Sequence, residues 1–488
     1  MKRWIAAFTL FALLLALAGC GAAPIPAEEG GPSAVPAPVR SAPAPTAAPL
    51  PADTEPSSVP TPTAEPLPAE KAAAPTELAR AVYPETAPYP GVSPQAEEGD
   101  WAAWRADLDA RRLPDGCADG LEPWLKACLT EFLAGDGDRN LVCAPMNLYM
   151  TLAMLAELTD GESRAQILSL LGADGIDALR AKADALWNAA YRDDGLVTCR
   201  LAASLWLNDR VGFVRETMDR LAETYHASSF RGVMGSEELD QALRDWLNEQ
   251  TGDLLKEQTA GLHLDPETVM AVAATVYFKA AWSNKFSREL TAPQLFHAEN
   301  GDRETDFLHR SWFGYYFWGE GFSAVPVPME NGGHMWFILP EEGKTPADLL
   351  SGEALDFLLS RNRFTREQRR QLTIHFAAPR FDVSSDIGLI PGLQELGLRD
   401  VFDPEVSDFT PMTGDRDRIF ISQAQHAARV MIDEDGCTGA AFTILAPAAA
   451  AMIVPREEIS FTADRPFLFL VTDQDGLPQF AGVVNRVD

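Results

Sequence analysis

Residues 433–467 read DEDGCTGAAFTILAPAAAAMIVPREEISFTADRPF. Acidic residues and a glycine open the stretch, a long run of small uncharged residues follows, and a β-rich segment closes on Ala463-Asp464-Arg465-Pro466-Phe467. The run is too apolar for an ordinary solvated loop and too rich in Ala and Thr for a core helix. Long charge-free loops facing water are uncommon, so this one asks for a reason.

Far upstream, the first twenty residues are MKRWIAAFTLFALLLALAGC, with Lys2 and Arg3 ahead of an apolar run. That run is shorter than the ~20 apolar residues a spanning helix needs, so residues 1–20 read as a secretory signal. Leu17-Ala18-Gly19-Cys20 resembles a bacterial lipobox, which implies acylation of Cys20, cleavage before it, and an exported protein anchored to the cell membrane on its extracellular or periplasmic side. Residues 21–100 follow as a Pro/Ala-rich segment; 19 of the chain's 36 prolines fall in residues 21–99. Such a composition cannot bury enough apolar surface to offset its conformational entropy, and a disordered linker is expected.

The chain has 488 residues and a net charge of −31, from 40 basic and 71 acidic residues. We read no basic face in it, which argues against a nucleic-acid partner. Six cysteines would suggest a disulfide framework in an exported protein, but with Cys20 lipidated an odd set remains: Cys117, Cys128, Cys143, Cys199 and Cys437. Free buried thiols are expected, with a Cys117–Cys128 bridge as the alternative. No spacing suggests a metal site.

From Trp101 the pattern becomes globular, and residues 101–488 are expected to form one domain. Leu121–Leu133 carries apolar residues at helical spacing and stops near Gly135, and residues 148–158 repeat the pattern before Gly161. Thr268–Phe278 is a nearly unbroken β-rich apolar run, as in a strand covered on both faces. His334–Pro340, Leu372–Phe381, Pro466–Val471 and Phe480–Val484 are further strand candidates. Helices dominate the first half and strands the second, so an α+β fold is expected.

Over residues 118–488 the motifs, in order, resemble those of the serpin family. Asn140-Leu-Val-Cys-Ala-Pro-Met-Asn-Leu148, Trp246-Leu-Asn248, Val276-Tyr-Phe-Lys279 with Trp282, and Met335-Trp-Phe-Ile-Leu-Pro340 are similar to successive family signatures. Pro379-Arg-Phe381, His426 ten residues before Gly436, Asp464-Arg-Pro-Phe-Leu-Phe469 and Phe480-Ala-Gly-Val-Val-Asn485 continue the series. The resemblance implies helices packed on a large central mixed sheet, smaller sheets, and an exposed reactive-centre loop in the opening stretch. It implies a breach tryptophan at Trp282, and a shutter built on His426 with Asn147 as a stand-in partner. It also implies an inhibitor rather than an enzyme: a serine protease, or alternatively a cysteine protease, would be held covalently by a monomer that needs no cofactor.

Strand insertion requires alternate loop residues to enter a closed interior. Counted from Gly436, the inward set of the hinge is Cys437, Gly439, Ala441 and Thr443, with Thr438, Ala440 and Phe442 between them; all the inward residues are small and uncharged. Glu434 and Asp435 stand just outside, where charge is tolerable, and Gly436 is expected to supply backbone freedom. The family usually places the cut fourteen residues past the hinge glycine, here between Ala450 and Ala451. Ala449 and Met452 are neighbouring alternatives, which would suit an elastase- or subtilisin-like protease. Counting back from Phe461 points near Pro455-Arg456 instead, and Arg456 would suit a trypsin-like one.

This chain departs from the family pattern at Ala144-Pro145-Met146-Asn147 and Ala274 in the shutter, and at Cys437, Gly439 and Pro447 in the loop. Glycine and proline both weaken a strand, so these departures bear on trapping efficiency. Two rival functions follow: a serpin cut as a plain substrate or acting as a binding protein, and a surface-anchored hydrolase. The second lacks any GxSxG elbow, HExxH helix or phosphate loop.

Overall fold

The computed structural model describes residues 73–93, 95–135, 137, 139–330, 332–360, 365–414, 419–437 and 457–487. In chain order its strands begin with β1 (Thr76–Ala79), β2 (Leu141–Cys143), β3 (Arg192–Asp193), β4 (Val197–Asn208), β5 (Ala227–Gly232) and β6 (Met270–Ala281). Next come β7 (Ala292–Ala298), β8 (Gly301–Gly319), β9 (Phe322–Pro328), β10 (His334–Pro340), β11 (Arg369–Pro379) and β12 (Phe381–Gly388). β13 (Gln425–Ile432), β14 (Gly436–Cys437), β15 (Glu458–Thr462), β16 (Phe467–Thr472) and β17 (Pro478–Val484) complete them.

Two mixed sheets organise these strands. The first runs β1-β5-β4-β6-β14-β13-β12, with β3 attached to β4. The second runs β15-β11-β8-β9-β10-β16-β17-β2, with β7 attached to β8. Most neighbours are antiparallel, while β4 pairs parallel with β5 and β11 parallel with β15. Every residue of β16 and β17 is buried, which is why their sequences are continuous apolar runs instead of alternating ones. β13 alternates: His426, Ala428, Val430 and Ile432 face the core, and the residues between them do not.

Helix α1 spans Glu98–Ala110, α2 Glu122–Leu133 and α3 Pro145–Leu158. Pro145 starts α3 at a position where its missing N–H costs no hydrogen bond. Thirteen residues of α3 are buried, so it forms the middle of the core and meets β17 and β6. The expected α+β architecture is thus present, with the first strands interleaved among the helices.

Two expectations are corrected. The linker does not reach residue 100: Thr76–Ala79 pairs with β5, and Tyr83 stacks on Trp187 and Tyr191 with ring centroids 6.1 and 5.8 Å apart. A four-residue strand among prolines has too short a pattern to stand out by alternation. The alternative Cys117–Cys128 bridge is not formed, as neither cysteine is in a disulfide, and buried Cys128 has Cys143 as its hydrogen-bonding neighbour. Cys143, Cys199 and Cys437 are buried and likewise outside any disulfide.

Candidate functional site

The site is the join between β6 and β13. Among the described residues these strands form no ladder with each other and are linked through β14 alone. Gly436 pairs with Ala281, and Cys437 pairs with Ala280 on one side and Ile432 on the other, both antiparallel. β6 and β13 therefore run parallel, with two residues of the loop's start wedged between their ends. Cys437 is buried beside the buried Ala280 and Ile432, so the first member of the expected inward set does face the core.

Gly436 has a different reason from the one expected. A Cβ there would lie 2.4 Å from the Ala280 carbonyl oxygen and 2.8 Å from the Ala281 Cα. Both are backbone atoms that cannot swing away, so glycine is needed for close approach and not for conformational freedom.

Just before β14, the acidic residues form a clasp. Trp282, buried, donates from its indole Nε1 to the Asp433 carbonyl at 2.8 Å and from its backbone N–H to the Asp435 carbonyl at 3.1 Å. The Phe286 N–H donates to the Glu434 carbonyl, 3.0 Å. Lys285 Nζ and Arg288 Nη2 reach the two Asp435 oxygens at 2.8 and 2.6 Å and hold that carboxyl below its ordinary range, Lys285 having the larger effect. Thr291 Oγ1 donates to Glu434 Oε1 at 2.8 Å, with Arg380 3.9 Å away. Glu434 is buried and partnered instead of standing at an exposed margin. Lys285 and Arg288 were not singled out from sequence, although they lie three and six residues past Trp282.

At the other end of β13 sits His426, 1% exposed. Its Nε2 accepts from the Ala144 N–H at 3.0 Å, so the neutral ring carries its proton on Nδ1. Burial lowers its pKa to about 4. Asn147, also buried, is not its partner: its Nδ2 has no hydrogen bond among the described residues, and its carbonyl accepts from Thr151 Oγ1. Ser385 Oγ on β12 donates to the Val142 carbonyl and accepts from the Val142 N–H, tying β2 to the sheet beside this histidine. The shutter thus rests on backbone partners at β2 and the start of α3.

Thr438, Gly439, Ala440, Ala441, Phe442 and Thr443, the bond candidates Ala449, Ala450, Ala451, Met452 and Arg456, and Cys20 lie outside the described residues. Among those described, no cluster of His, Cys, Asp or Glu could hold a metal ion, and no helix is long and apolar enough to cross a membrane.

The family model for serpins, serine protease inhibitors, matches residues 127–487. Serpin-ZXA of Oryza sativa subsp. japonica is 30% identical, the match covering 72% of this chain and 91% of that protein. The human leukocyte elastase inhibitor is 25% identical over 68% of this chain and 89% of its own length. Among solved structures, the thermophilic serpin tengpin in its native state superposes with a TM-score of 0.68 at 21% identity, covering 77% of this chain and 95% of that one.

Proposed function

Because this chain belongs to the serpin family, we propose that it is an exported, lipid-anchored inhibitor of serine proteases, consumed in the act of trapping its target. The observation that carries this reading is β14, which sits antiparallel between β6 and β13 and, among the described residues, is the one link between them. If a strand continued this register, Gly439 would fall between Phe278 and Val430, Ala441 between Val276 and Ala428, and Thr443 between Ala274 and His426. Val430, Ala428 and His426 are the buried column of β13. The small uncharged hinge residues would then meet the core face, and Thr438, Ala440 and Phe442 the outer one.

The chemistry is that of an ordinary substrate up to the acyl-enzyme. The protease serine adds to the Ala450 carbonyl, the bond to Ala451 breaks, and Ala451 leaves as a new amino terminus. The freed loop then enters the ladder as a full strand and carries the attached protease with it before water can release it. Insertion would supply the facing edges of β6 and β13 with the ladder hydrogen bonds that they do not make to each other among the described residues, and this would be the driving force. Relatives named elastase inhibitors support a target with a small apolar primary pocket. Cys20 would carry the lipid that holds the monomer at the membrane, and no nucleic acid enters the scheme.

Incubation with pancreatic elastase, followed by denaturing electrophoresis and intact-mass spectrometry, tests the proposal. A covalent adduct whose carboxyl end is Ala450 is expected. Complete cleavage with undiminished elastase activity would instead assign the chain to serpins that are cut without trapping, the reading that Gly439 and Pro447 favour.

A further inference from the structure

A cavity of about 680 Å³ opens on the second sheet, where β8 crosses β9, β10 and the start of β11. Its walls include Arg310, Trp312, Tyr315, His334, Trp336 and Arg369. The chain carries 71 acidic residues against 40 basic ones, yet no Asp or Glu lines this space, while two arginines and a histidine do.

These polar groups are poorly satisfied within the protein. The Arg310 guanidinium lies between the rings of Phe286 and Trp312, 4.8 and 4.4 Å from their centroids, and donates to the Asn284 carbonyl. Its Nε is buried with no hydrogen-bond partner among the described residues, and so is His334 Nδ1. Arg369 stacks on Tyr315 at 4.9 Å without an ion pair among the described residues, whereas the adjacent Arg370 is held by Glu457 at 2.8 Å. Buried donors are ordinarily partnered, and arginines flanked by aromatic faces are suited to anions.

Apart from Asn284 and Ser311, the remaining lining is aromatic rings, prolines and the bare backbone of Gly314. A Cβ on Gly314 would fall 2.5 Å from Trp312 Nε1, so the indole lies against bare backbone. Phe313 and Tyr315 stay 45% and 41% exposed at the rim, which is unusual for large apolar side chains. The volume lies within the range of small-molecule sites, about 300–1,000 Å³.

We propose that this cavity binds a small organic anion: a flat aromatic body lodged among Trp312, Tyr315 and Trp336, with one carboxylate or sulfonate head at Arg369, and Arg310 adding positive charge at the far end of the cavity. This site is independent of the protease trap. The probe pair is 8-anilino-1-naphthalenesulfonate and its uncharged analogue N-phenyl-1-naphthylamine, titrated into the intact protein by fluorescence and calorimetry. One saturable site is expected, with the sulfonate bound about tenfold or more tighter than the amine. Arg369→Gln, at a partly exposed position, weakens the sulfonate several-fold while thermal unfolding and protease trapping stay unchanged. Arg310→Met weakens it by less than Arg369→Gln, and Gly314→Val blocks it by displacing Trp312. Equal affinity for the two probes, unsaturable binding, or wild-type affinity in Arg369→Gln would overturn the assignment.

Discussion

His426 has an environment that only its neutral form fits, since burial disfavours the charge and the Ala144 N–H occupies Nε2. Between pH 6.5 and about 4 the unfolded chain takes up a proton that the folded chain refuses, so stability falls as the pH drops through this window. The full contribution is about 3 kcal/mol, and His426→Gln, which keeps an acceptor without titrating, should lose that much less on acidification in urea titrations at pH 7 and 4. At the hinge, Thr443→Arg would force a charge against the core face beside His426. That costs several kcal/mol, so covalent complex with elastase should fall by about tenfold or more while cleavage persists, measured as moles of inhibitor consumed per mole of protease stopped. The inward face of Cys437 was legible because alternation is a local rule. The reason for Gly436 was not, because it depends on Ala280, remote in sequence. Nor was the burial of Glu434, whose partners Thr291 and Arg380 come from other elements.

Strands with long apolar runs could be read closely: His334–Pro340 is β10 with the same bounds, and Thr268–Phe278 is β6 displaced by two or three residues. Short elements could not, because two or four residues cannot display a period. β14 and β1 exist through their neighbours alone. Gly436→Ala should therefore push β14 off β6 and lower stability by about 1–3 kcal/mol in urea unfolding, much more than an exposed Gly→Ala change. A chain trimmed to begin at Ala73 should unfold at the same temperature as the full protein, whereas one beginning at Trp101 loses β1 and the Tyr83 stack and should melt earlier. The search for basic clusters also passed over one: Arg361, Arg363, Arg366, Arg369 and Arg370 fall within ten residues. Their significance emerges at β11, where Arg369 turns toward an aromatic cavity and Arg370 toward Glu457.

For the molecule as a whole, the central question is whether the sheet holds back free energy. Among the described residues β6 and β13 lie parallel with Gly436 and Cys437 alone joining them, and the clasp of Trp282, Lys285 and Arg288 holds the residues just before β14 at that join. Closing the ladder with a full strand would add backbone hydrogen bonds and buried surface that the intact chain forgoes. The most direct measurement compares thermal unfolding of the intact protein with protein nicked once in the 449–456 segment by a non-target protease. The account predicts that nicking raises the midpoint by about 10 °C or more; a midpoint unchanged or lowered by the nick would contradict it.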